Sequence, residues 1–170
     1  YLMLENENYA MPEMPEGCEE GIIKGMYRVS EAQKNETKKS KHHVQLFGSG
    51  PILRSVLDAQ ALLADQYDIS ADVWSVTSYT ELRREAQECR RWNMLHPTDK
   101  PRVSYLEQQL EGLDGPFIAA SDYMRALAEQ IDPWIPGGLF VLGTDGMGRS
   151  ESREALRRHF EVDAQFVTLA

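Results

Sequence analysis

From His43 to Leu142, short apolar runs alternate with stretches of helical period, and this alternation limits the fold more than any other feature of the chain. His43 to Phe47 (HVQLF), Ala71 to Val76 (ADVWSV), Pro116 to Ala120 (PFIAA) and Leu139 to Leu142 (LFVL) are rich in β-branched and aromatic residues and read as strands. Between the first two, Ile52 to Tyr67 carries Leu53, Val56, Leu57, Leu63 and Ala64 at spacings near three and four, the mark of an amphipathic helix. Ser78-Tyr79-Thr80-Glu81 is a capping box, in which Ser78 caps the amide of Glu81 and Glu81 reaches back. It opens a long helix with Leu82, Ala86, Cys89 and Trp92 toward the core. Strands that alternate with helices predict an α/β protein with a mainly parallel sheet.

The remaining segments are read from turn chemistry. Tyr1 to Glu5 (YLMLE) is a short strand, followed by an extended linker from Met11 to Gly17 whose two prolines oppose helix formation. This divides the chain into residues 1–16, the end of a preceding domain plus a linker, and a domain over 17–170. Gly21 to Val29 is expected to form a strand, and the polar, lysine-rich Ser30 to Lys41 an exposed hairpin or loop. A short helix is expected around Val103 to Leu110. Ser121 or Asp122 is expected to cap a helix to about Gln130, and Asp132-Pro133 and Pro136-Gly137-Gly138 to end it. Further helices are expected from Glu151 to His159 and after Asp163. The last is still running at Ala170, so the domain is expected to be truncated at its C-terminal end.

Charge and composition exclude several functions. The net charge of −9 repels phosphate backbones, which argues against nucleic acid as a partner. No apolar run reaches the ~20 residues that cross a bilayer, so no membrane is expected. Cys18 and Cys89 lack any CxxC spacing and read as reduced thiols of a cytoplasmic protein. His42, His43, His96 and His159 lack metal-ligand spacing, and a structural role is preferred for each. Trp74, Trp92 and Trp134 read as core or interface anchors. Met3, Met11, Met14 and Met26 read as adaptable packing against a neighbouring domain.

Two glycine-rich loops are the candidate sites. Gly48-Ser49-Gly50 lies between a strand and a helix start, where backbone amides can bind an anion, although a tight strand–turn–helix junction explains it more simply. Its serine lacks the G-x-S-x-G setting of a nucleophile elbow. Thr144-Asp145-Gly146-Met147-Gly148-Arg149-Ser150 offers close backbone approach, and Arg149 with the following helix start can hold an acidic group. Glu151 and Glu154 already place negative charge there, so a structural or domain-interface role is preferred. The candidate residues are therefore Gly48, Ser49, Gly50, Asp145, Gly146, Gly148, Arg149 and Ser150, with no catalytic, cofactor-binding or metal residue among them.

Several stretches are long enough to carry a resemblance. They are Tyr1 to Tyr9 followed by Met14-Pro15-Glu16-Gly17, then Gly21 to Tyr27, Arg91-Trp92-Asn93-Met94-Leu95-His96-Pro97 and Thr144 to Ser150. The chain resembles, over nearly its whole length, the C-terminal domain of the homodimeric, thiamine-dependent pyruvate dehydrogenase component. The resemblance implies a transketolase C-terminal-like domain, a three-layer α/β/α sandwich on a mostly parallel, mixed five-stranded sheet. It also implies a parent enzyme that decarboxylates pyruvate with thiamine diphosphate and Mg and passes the acetyl unit to lipoyl groups. That family's cofactor residues lie in the two preceding domains. In agreement, the G-D-G motif of diphosphate–magnesium sites is absent, and the only asparagines are Asn6, Asn8, Asn35 and Asn93. The fragment itself is therefore expected to bind no cofactor and to be inactive. The implied partners are the preceding domains, the homodimer partner and the dihydrolipoamide acetyltransferase of the complex. An accessory and assembly role is the first reading. A regulatory domain binding a small anionic metabolite is the alternative, and an independent small enzyme is disfavoured for want of a nucleophile–base pair.

Overall fold

The computed structural model describes residues 8–10, 12–32 and 42–170. Five strands form one sheet: β1 (Met26–Ser30), β2 (His42–Gly48), β3 (Ile69–Val76), β4 (Phe117–Ala120) and β5 (Leu139–Leu142), in the order β1-β3-β2-β4-β5. β1 is antiparallel to β3 and the other pairings are parallel. The helices are α1 (Glu19–Lys24), α2 (Ile52–Tyr67), α3 (Tyr79–Leu95), α4 (Tyr105–Leu110), α5 (Arg125–Glu129), α6 (Arg153–His159) and α7 (Ala164–Leu169), with a 3-10 turn at Asp132–Trp134.

The strands are apolar on both sides because helices cover both faces of the sheet. Phe47, Trp74, Val76, Phe117 and Val141 point to one side, against Leu82 of α3, Leu106 and Leu110 of α4 and Ala128 of α5. Val44, Leu46, Val73 and Ile118 point to the other, against Val56 and Leu63 of α2 and Val167 of α7. The result is the expected α/β sandwich of three layers. Phe47 stands at its centre, edge-on to both Trp74 at 6.4 Å and Phe117 at 5.9 Å.

Four local expectations need correction. Gly21 to Val29 is not one strand: α1 occupies its first part and β1 begins at Met26. Ile22 and Ile23 favour a strand locally, but Glu19 and Glu20 occupy the first turn, Glu20 pairs with Lys24 at 2.7 Å, and Gly25 ends the helix by giving its N–H to Gly21. The Ser78 box is half formed. Ser78 accepts the amide of Glu81, but its own amide goes to the Gly25 carbonyl and the Glu81 carboxylate to Arg84. A complete box does form one helix later, between Ser104 and Glu107. Trp92 is half-buried: it lies between the His96 ring, stacked at 4.4 Å, and the Arg102 guanidinium at 4.1 Å. Finally, neither Ser121 nor Asp122 caps a helix; α5 starts at Arg125. The stretch Tyr1 to Glu5 and residues 33–41 of the lysine-rich segment lie outside the described residues.

One core group is unsatisfied. The Tyr79 hydroxyl is buried without a hydrogen-bond partner among the described residues, and burial pushes its phenol well above the usual tyrosine range. Because an unpaired hydroxyl bears its desolvation cost without return, Tyr79→Phe is expected to raise stability by about 1 kcal/mol in urea unfolding. A loss of stability would show that the hydroxyl is in fact bonded.

Candidate functional site

The candidate loops lie together at the carboxyl edge of the sheet. Gly48 pairs with Ala120, and Ala120 with Leu142, so β2, β4 and β5 end on one rung. Hydrogen bonds continue past that rung, from Ser49 N to the Ala120 carbonyl at 3.3 Å and from Ser121 N to the Leu142 carbonyl at 3.2 Å. The strand order also reverses direction here. The chain leaves β2 through α2 on one face and leaves β4 through α5 on the other. In open α/β sheets this divergence is where ligands commonly bind.

The first loop is committed to structure. A Cβ on Gly48 would stand 2.8 Å from the Cα of Leu53, so only glycine allows α2 to start this close to β2. Ser49 is buried and its hydroxyl donates to the Val76 carbonyl at 2.9 Å, which ties β2 to the end of β3. Gly50 faces Asp122 across the junction, with its ideal Cβ position 3.7 Å from an Asp122 carboxylate oxygen.

The second loop is partly committed. Asp145 accepts the Arg125 backbone amide at 3.0 Å and pairs with the Arg125 guanidinium. It thus caps α5, in place of the residues expected to do so. The Arg125 side chain beside it, and then the Arg125 amide, hold the Asp145 carboxyl below the ordinary aspartate range. Thr144 fastens the loop to the segment after β4, through its amide to Tyr123 at 2.9 Å and its hydroxyl to the Asp122 carbonyl. Gly146, Gly148, Arg149 and Ser150 are exposed, and Arg149 makes no ion pair among the described residues. Asp122, Tyr123 and Arg125 therefore belong to this edge, although the reading of the sequence placed no site residue there. Asp145 and Arg125 are 20 positions apart, and no local spacing links them.

Neither loop contains a histidine, cysteine or lysine. Among the described residues, no group of three or more His, Cys, Asp or Glu side chains is placed to hold a metal ion. Burial, with Glu85 3.4 Å away, pushes the Cys89 thiol up to about 11, so it stays protonated at neutral pH. A groove of about 880 Å³ opens at the amino ends of β4 and β5, between Asp114 and Pro136, away from these loops.

A five-stranded mixed sheet in this order, covered on both faces by helices, makes the domain a three-layer α/β sandwich. The profile of the transketolase-like TK C-terminal domain matches residues 25–163, and the chain belongs to that family. Its sequence relatives are more particular. The pyruvate dehydrogenase E1 component of Pseudomonas aeruginosa is 54% identical over 171 aligned positions, covering 100% of this chain and 19% of the relative. That of Escherichia coli K12 is 53% identical over the same span, 18% of its length. The chain thus spans less than a fifth of these relatives. Among solved structures, transketolase from Leishmania mexicana superposes with a TM-score of 0.55 at 15% identity, covering 88% of this chain and 18% of that one. Transketolase from Campylobacter jejuni gives 0.54 at 15% identity, over 85% and 18%. At that identity the two structures establish the fold. No helix among the described residues is long and apolar enough to cross a membrane.

Proposed function

We propose that this chain is the C-terminal accessory and assembly domain, over residues 17–170, of a pyruvate dehydrogenase of the homodimeric E1 type, with residues 1–16 linking it to the domains before it. The observation that carries the proposal is the match at about half identity across the whole chain, linker included, to proteins of that name. In this reading the complete enzyme decarboxylates pyruvate with thiamine diphosphate and Mg and acetylates lipoyl groups of the acetyltransferase, as a homodimer in the cytoplasm. The cofactor supplies the carbanion chemistry, and the domains ahead of this one hold it.

Among the described residues, the polar side chains at the carboxyl edge do not fit a magnesium diphosphate. Asp145 is held by Arg125, the Ser49 hydroxyl is used by Val76, and no metal-binding cluster stands among the described residues. We therefore assign the chain a supporting role. Titrating thiamine diphosphate with Mg into the 170-residue chain is expected to give no saturable heat, while the full polypeptide binds both and decarboxylates pyruvate. Saturable micromolar binding to the chain alone would move the cofactor site into this domain.

A second reading, a site for a small acidic metabolite at the carboxyl edge, draws on the exposed Arg149 with Gly146, Gly148 and Ser150 beside it. If it holds, Arg149→Ala abolishes binding of di- and tricarboxylates by the full enzyme. If no such acid binds at millimolar concentration, the loop is an interface element.

A further inference from the structure

Ahead of α1, Tyr9 fastens the described part of the linker to the domain. Tyr9 is half-buried, and two guanidiniums lie near its ring, Arg54 in the first turn of α2 and Arg157 in α6, each 5.7 Å from the ring centroid. Arg157 also donates to the Tyr9 hydroxyl at 2.9 Å, and Arg54 reaches the Ala10 carbonyl at 3.5 Å. Three parts of the chain, 148 positions apart at their extremes, therefore meet on one aromatic ring. Each guanidinium within about 6 Å of the ring is attracted electrostatically by its π-system. Asn8 and Ala10 on either side are exposed, so within residues 8–10 the ring is the part that packs on the domain.

Tyr9 holds α6 at Arg157, while Arg158 ties the carboxyl end of the same helix to Asp163 at 3.2 Å, to Gln165 at 2.7 Å and to the Phe166 ring. The helix contains no buried residue, and only Leu156, Arg157 and Arg153 within it are half-buried. It directly follows the exposed loop of Gly146 to Ser150. We infer that Tyr9 is an interdomain latch, which ties the segment leading into this domain to α2 and α6 and so couples the position of the upstream chain to the 143–152 loop at the carboxyl edge. The occupant of the Arg54–Arg157 cleft is this chain's own linker, and the coupling is reciprocal: pulling the linker away frees α6, and loosening α6 frees the linker.

The test uses the full polypeptide and reads both ends of the latch. Tyr9→Ala is expected to speed amide hydrogen exchange across residues 153–159 by about tenfold. Arg157→Ala is expected to speed cleavage by a glutamate-specific protease at the exposed Glu13 and Glu16 by a similar factor. Because Tyr9→Ala also removes the contact that Arg157→Ala removes, the double variant should behave like Tyr9→Ala alone in each assay. If either single substitution leaves the distant end unchanged, or if the two effects multiply in the double variant, Tyr9 and Arg157 do not form a latch.

Discussion

Gly115→Ala is expected to destabilise the domain by about 4 kcal/mol, a large share of the 5–15 kcal/mol that holds a domain of this kind together. Gly115 has φ +104°, and a Cβ there would stand 2.0 Å from the backbone carbonyl oxygen of His43. That oxygen belongs to β2, an interior strand of the sheet, and cannot move alone. The next bond along, from Gln45 N to the Pro116 carbonyl at 3.0 Å, is the first that joins β2 to the approach of β4. Relief requires β4 to draw back from β2, which would break that bond and unseat Phe117 from the centre of the core, where it is 2% exposed and edge-on to Phe47. Gly112→Ala is the control. Its φ of +73° is also unfavourable for alanine, but a Cβ there meets nothing within 4 Å, so the conformational cost alone, about 1 kcal/mol, is expected. Urea unfolding of both variants separates the two terms. Equal losses would mean that the sheet is not closed between His43 and Gly115 as described.

The layout of strands and long helices was legible because each element buries a face whose period is written in its own residues. The helix read from Ile52 to Tyr67 has those same bounds as α2, and Asp163 does cap α7. What was not legible depends on partners distant in sequence. α1 carries two β-branched residues in a row, and six residues cannot declare a helix against that local preference. The start of α5 is set by Asp145, which reaches Arg125 only after β5 has folded beside β4. The site divides in the same way. Glycine-rich loops after β2 and β5 could be recognised, and their shared edge follows from the parallel sheet. That Ser49 is used by Val76 and Asp145 by Arg125, leaving Arg149 as the exposed cation of that loop, is a property of the folded chain. Tyr9, Arg54 and Arg157 gave no signal at all, because their meeting depends on where the linker crosses the surface.

Asp72→Ala is expected to cost about 3 kcal/mol at neutral pH, since it strips the acceptor from a buried polar array and leaves its donors behind. Asp72 is 6% exposed within β3. One of its oxygens accepts the Ala32 amide at 2.8 Å; the other accepts from His43 at 3.0 Å and from the Gln45 amide at 3.2 Å, with Arg28 at 4.0 Å. Gln45 is fully buried and is oriented in turn by Trp74, whose ring N–H donates to its carbonyl oxygen at 2.7 Å. Burial alone would raise the Asp72 carboxyl, and it is the largest single influence. The Ala32 amide and the His43 and Gln45 side chains together outweigh it, so the group sits below the ordinary aspartate value. A depressed folded value fixes the sign of the pH dependence. The contribution of Asp72 is complete above its unfolded pKa of about 3.9 and is lost as pH falls through the lower folded value. The stability gap between the wild-type protein and Asp72→Ala should therefore narrow as pH falls below about 4. Asp72→Asn keeps the shape but turns an amide N–H₂ toward a cluster of donors, and it should lose nearly as much at pH 7. A gap that widens below about pH 4 would mean that the folded protein holds Asp72 in its protonated form, donating where it is described here as accepting.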